Sequence, residues 1–168
     1  MYHEATSRLS DADLLSSSLY KQSDSDYLIR ILAFEILLKG LCLINMGDYC
    51  KGHNYKKIFY SFTEPLQKSL IASASERMGG AVNYTNISKL LECYGSNFID
   101  LRYPHERYRG DTETAYIGRG NTWMENGALL EEATFVYYPT ELTGLIYAAS
   151  SEIESWLNER QIAITQQD

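Results

Sequence analysis

Residues 26 to 53 read DYLIRILAFEILLKGLCLINMGDYCKGH, and the fold follows from how that stretch is read. From Asp26 to Met46, Tyr27, Ile31, Phe34, Leu38 and Leu41 line one helical face, while Leu28, Leu32, Ile36 and Leu43 line others. A helix that is apolar nearly all round must be contacted by several neighbours. At 1.5 Å per residue it spans roughly 30 Å. Arg30, Glu35 and Lys39 lie inside the run, each costly at a bilayer centre, so it does not read as a membrane span. Gly47 is placed to close the helix in the left-handed conformation, and Lys51-Gly52-His53 begins the next segment. Glu35 and Lys39 stand four residues apart, the spacing of a helical ion pair. If that face is buried, Glu35 needs a partner, and it is a support for Arg102 or His53.

Upstream of this stretch, Ser10 with Asp11 and Asp13 reads as an N-cap and acidic first turn, which predicts a helix over residues 10–22 and leaves His3 in a tail. Downstream, Tyr55, Ile58, Phe59 and Phe62 recur at helical spacing, with Lys56 and Lys57 facing away, so residues 54–62 form a short helix. Thr63-Glu64-Pro65 starts another, which Gly79-Gly80 stops. A stripe of Ile87, Leu90, Leu91, Tyr94, Phe98 and Leu101 predicts a helix over 86–103, ended by Pro104. Residues 105–138 hold four glycines among polar and aromatic residues and read as a functional loop, with a short strand over 134–138. After Pro139, Thr140 caps a last helix whose stripe runs from Leu142 to Leu157, with a frayed tail from Gln161. The sum is an all-α fold, an antiparallel helical bundle of five to six helices with an irregular region near residues 105–138, in a single domain over 1–168.

The 168 residues suffice for one core, and 45% apolar with 22% charged residues is ordinary for a globular chain. A net charge of -7 argues against a generally basic nucleic-acid binder, so any RNA contact must be a local patch. The three cysteines, Cys42, Cys50 and Cys93, show no CxxC spacing. Cys42 inside the apolar helix reads as a reduced thiol, and with no basic and apolar leader at the N-terminus this predicts a cytoplasmic protein. No phosphate loop, nucleophile elbow or clustered Cys/His set is present, so the sequence calls for no metal and no cofactor.

Tyr27 to Arg30 leading into AFEILLKG at 33–40, then Lys51-Gly52-His53, Ile58-Phe59 and Leu101-Arg102-Tyr103-Pro104-His105-Glu106, resemble the HEPN superfamily (higher eukaryotes and prokaryotes nucleotide-binding) over residues 10–108. The resemblance implies a helical bundle that assembles as a homodimer. In many members it implies a metal-independent endoribonuclease of toxin-antitoxin or antiphage defence systems, with an Arg followed after four to six residues by His. Here the matching pair is Arg102 and His105, separated only by Tyr103 and Pro104. That spacing departs from the family motif.

Metal-free RNA cleavage needs an imidazole to move a proton and a cation to stabilise charge on the phosphate. Arg102 and His105 are the candidate catalytic pair. Lys51, His53, Lys56, Lys57, Arg107 and Arg109 are the candidate RNA-binding residues, supported by Glu35, Lys39 and Tyr103. The expected function is binding or cleavage of RNA. The alternative is a non-catalytic immunity protein, antitoxin or adaptor that uses its negative charge to hold a cognate protein partner such as a basic nuclease toxin.

Overall fold

The computed structural model describes residues 1–17, 24–103, 105, 108–129, 132–133 and 135–165. Among them are seven α-helices and no strand: α1 (Tyr2–Ser16), α2 (Ser25–Met46), α3 (Tyr55–Phe59), α4 (Glu64–Arg77), α5 (Ile87–Asp100), α6 (Glu113–Glu125) and α7 (Pro139–Thr165). The fold is an all-α bundle. Its axis is α2, which packs against α1, α3, α5 and α7. Tyr27, Ile31, Phe34, Leu37, Leu38, Leu41 and Cys42, spread around that helix, are all buried, as its all-round apolar surface requires.

Paired contacts set the helix directions. Asp13 near the end of α1 meets Arg30 near the start of α2, so these two run antiparallel. The backbone N–H of Tyr138 donates to the Tyr27 hydroxyl at one end, and Gly40 faces Ile153 further along, so α2 and α7 run in the same sense. On α1, buried Ala5 and Ala12 let the backbone come close to its neighbours, and the Tyr2 hydroxyl donates to Glu154 of α7.

Local chemistry explains most boundaries. Gly47 closes α2 at φ 72°, its N–H donating to Leu43. Asn54 and Asn86 cap α3 and α5 by accepting from the Lys57 and Lys89 amides. Pro65 sits in the first turn of α4, where its missing N–H leaves nothing unpaired.

Several expectations need correction. The first helix begins at Tyr2, not Ser10, so His3 is helical; the expected end over 18–22 lies outside the described residues. Packing of Ala5 and Tyr2 outweighs the local capping signal at Ser10. The helix before Pro104 closes at Asp100, not Tyr103, while the last helix continues beyond Gln161 to Thr165.

Residues 113–125 are helical, which makes seven helices rather than five or six. The Thr112 hydroxyl accepts from the Ala115 amide at 3.2 Å and Glu113 occupies the first turn, a start signal that Gly118 and Gly120 obscured. No strand forms at Phe135–Tyr138, and Thr134 lies outside the described residues. Cys42 is not a free thiol: it is disulfide-bonded to Cys50 with Cα atoms 6.0 Å apart, because the left-handed Gly47 turns the chain back across the end of α2. The cysteine argument for a reducing compartment therefore falls. Among the described residues no helix is long and apolar enough to cross a membrane.

Candidate functional site

Glu35 is the centre of the predicted cluster. It lies in the middle of α2 and is 3% exposed, a placement that is costly for a carboxylate unless donors surround it. Three do. Lys39 Nζ reaches Oε1 at 2.7 Å, one helical turn on. His53 Nδ1 lies 3.0 Å from Oε1 and 2.9 Å from Oε2. The Tyr55 hydroxyl donates to Oε2 at 3.1 Å and also stands 3.2 Å from the Ile31 carbonyl. Burial, and then the Glu35 carboxylate beside it, pushes the Tyr55 phenol far above its ordinary range. Tyr55 thus stays a donor at every physiological pH.

A carboxylate oxygen accepts hydrogen bonds, so an Nδ1–H of His53 is the donor to Glu35, and Nε2 is left outside that contact. The His53 side chain is 52% exposed. One edge of the imidazole is therefore fixed by a buried anion while the ring still meets solvent. The sequence brings this about by turning at Gly47 and Gly52, both with positive φ, so that the segment between α2 and α3 folds back over Glu35. The Cys42–Cys50 disulfide ties that segment to α2.

Phe98 of α5 joins this cluster to the Arg102 region. The His53 ring stacks on Phe98 with centroids 5.0 Å apart, and the Arg102 guanidinium lies 5.0 Å from the same ring's centre. Arg102 also lies 5.3 Å from the Tyr103 ring and donates to the Tyr103 hydroxyl at 3.3 Å. His105 is one ring further out, edge-on to Tyr103 at 6.3 Å. The arrangement fixes the guanidinium by cation–π contact at an exposed site.

The structure thus gathers Glu35, Lys39 and His53 directly, Arg102 and Tyr103 through Phe98, and His105 at the margin. Lys51, Lys57 and Arg109 are exposed, and among the described residues no side-chain hydrogen bond, ion pair or ring contact joins them to the cluster. Lys56 is engaged by Glu92 at 2.5 Å. Arg107 lies outside the described residues. Phe98 and Tyr55 were not anticipated as site residues. Both read in the sequence as members of apolar stripes, and only the fold shows that one carries two predicted groups and the other secures the carboxylate.

Beside His53 runs a groove of about 560 Å³ between α3 and α5, lined also by Tyr55, Glu92, Gly95 and Asp100. Gly95 borders α3: a Cβ there would lie 3.6 Å from Tyr55 and 3.7 Å from the His53 carbonyl, both ordinary contacts. Two carboxylates on its wall make it less basic than the sequence clusters suggest. Among the described residues no group of three or more His, Cys, Asp or Glu is placed to hold a metal ion. No family model, no curated protein and no solved structure matches the chain.

Proposed function

We propose that the protein is a HEPN-like helical protein that binds or cleaves RNA as a homodimer, in a bacterial defence or toxin-antitoxin setting. The observation that carries this reading is the buried Glu35 carboxylate holding Nδ1 of a half-exposed His53, with the Arg102 guanidinium on the same Phe98 ring. A carboxylate that fixes the tautomer and orientation of an imidazole is what general acid–base chemistry requires. In this reading His53 Nε2 takes the proton from a ribose 2′-hydroxyl. The 2′-oxygen bonds to phosphorus, the bond to the 5′-oxygen breaks, and a proton is returned to that leaving oxygen. Arg102 balances the charge that builds on the phosphate, and His105 is the second imidazole of the patch.

Incubation of the purified protein with transfer RNA tests this. Cleavage should fall by about a hundredfold or more in His53→Ala and in Arg102→Ala, with a smaller loss in His105→Ala. Cleavage retained by all three variants would remove the assigned site. Filter binding of the same RNA separates binding from turnover, and its affinity should decline steeply with salt.

A second reading draws on the net charge of -7 and on the Glu92 and Asp100 carboxylates beside His53, the first of them shared with Lys56. They suit a non-catalytic protein that holds a cationic partner such as a basic nuclease toxin. Absence of RNA binding together with specific, salt-sensitive association with such a nuclease would favour it.

A further inference from the structure

The described residues of 108–137 line a half-open cavity of about 460 Å³ that the His53 cluster does not use. Five rings line it: Tyr108, Tyr116, Trp123, Phe135 and Tyr137. On α6, Tyr116, Ile117, Gly120 and Trp123 form one stripe, yet no residue of that helix is buried. An apolar stripe normally fills a core; this one faces open space of the size that small-molecule sites occupy.

The walls are held in place by contacts away from the cavity. Tyr137 meets the Tyr27 ring of α2 edge-on at 5.0 Å, and Asn97 of α5 donates to the Val136 carbonyl at 2.7 Å. Trp123 Nε1 donates to the Leu129 carbonyl at 2.8 Å, which fixes the indole. Tyr108 and Tyr116 stand edge-on at 5.0 Å.

Charge then narrows the ligand class. Arg119 lines the cavity but is paired with Asp111 at 2.6 Å, and Glu132 stands at the same wall. A guanidinium in the lining opposes an ammonium guest of the kind that aromatic cages bind. Glu132 in the lining, and Asp111 already neutralising Arg119, oppose a phosphate. What remains is a neutral planar ring, stacked between aromatic faces, whose edge can meet the Asn121 amide, the Arg119 guanidinium and the Glu132 carboxylate.

We propose that this cavity binds a nucleobase, presented either by a free nucleoside or by an unpaired position of an RNA strand. The proposal goes beyond the reading of His53 and Arg102 and does not need cleavage to occur. Its test uses the full chain carrying Trp156→Phe, which leaves Trp123 as the only one of the two tryptophans. Tryptophan fluorescence is followed while adenosine, guanosine, cytidine, uridine, a short single-stranded RNA and its duplex are titrated. His53→Ala is added for the RNA arms so that no strand is cut.

Saturable quenching by at least one nucleoside or by the single strand, and none by the duplex, is the expected result. Quenching by nucleoside alone identifies the free base as the source, and quenching by the single strand alone identifies the polymer. Tyr116→Ala should weaken binding about tenfold, the scale of one lost stacking contact. Tyr116 is 53% exposed, so its removal leaves the melting temperature in place. Absence of saturable quenching by every probe, or affinity unchanged in both Tyr116→Ala and Phe135→Ala, overturns the proposal. Nucleoside binding that is the same with His53 and with His53→Ala separates this site from the nuclease reading, whichever of the two fails.

Discussion

Phe34, Tyr55, Tyr94 and Phe98 meet inside the bundle, every one of them at most 4% exposed. Tyr108, Tyr116, Trp123, Phe135 and Tyr137 gather beside α6, half-buried or exposed around open space. Both groups are rich in tyrosine. In the first, burial pushes the phenols of Tyr55 and Tyr94 far up, and their hydroxyls donate to Glu35 and to the Tyr138 carbonyl. In the second the rings cover a cavity. The contrast shows that aromatic content alone says little about role. Whether rings interlock with a helix that has no free face, or line a helix with no buried residue, decides between core and binding surface.

The largest expected effect should come from adding a single methyl group on the closed side. A Cβ at Gly144 of α7 would run into the Tyr84 hydroxyl and stand 3.1 Å from the Ala74 carbonyl of α4. Gly144→Ala should therefore lower unfolding stability by about 2–3 kcal/mol, the cost of overpacking a filled seam, measurable by urea denaturation. A change within error would mean that α4 and α7 are less tightly joined than described.

Alkaline pH is the next lever. Burial raises Tyr27 and Tyr84 from 10.0 to about 12 and the Cys93 thiol from 9.0 to about 11. A group whose folded value lies above its unfolded one binds its proton more tightly when folded. Its contribution is whole below the ordinary value and is lost as pH rises through the folded one. Melting temperature should hold to about pH 9 and then fall steadily toward pH 12. A flat profile across that range would contradict the burial of these side chains.

The smallest effect belongs to the open side and has the opposite sign. Gly118 lies within α6 and a Cβ there would meet nothing within 4 Å. Gly118→Ala should strengthen that helix by about 0.5–1 kcal/mol, seen as slower amide hydrogen exchange over 113–125 with little change in global unfolding. Equal slowing across α2 would show that the two regions are one cooperative unit.

The bundle was legible because its signals are local and periodic. The stripe of α2, the Gly47 stop, the Asn54 and Asn86 caps and the Pro65 start each depend on residues a few positions apart. Helix α6 was hidden because two glycines lower intrinsic helix propensity, and the Thr112 cap is a single weak cue against them. The start of α1 was missed because Tyr2 and Ala5 gain their order from partners far along the chain. Of the site, Glu35 as the support of His53 was readable from one fact, that a carboxylate in an apolar helix needs a donor. Phe98 was not, since nothing in its neighbourhood distinguishes a core ring from one that carries a histidine and an arginine. The Cys42–Cys50 pairing escaped for a related reason: it depends on the path of the chain after Gly47, which spacing does not reveal.

Segment 136–138 is clasped mainly by its main chain. Asn97 and Cys93 reach the Val136 carbonyl, and the Tyr94 hydroxyl reaches that of Tyr138. A carbonyl is the same whatever side chain stands beside it. The wall of the aromatic cavity is thus anchored by backbone carbonyls beside the Tyr137 ring, so a substitution at Phe135 leaves those hydrogen bonds in place while it changes the lining. What the cavity accepts can therefore be altered at Phe135 without touching the bonds that hold the wall to α5.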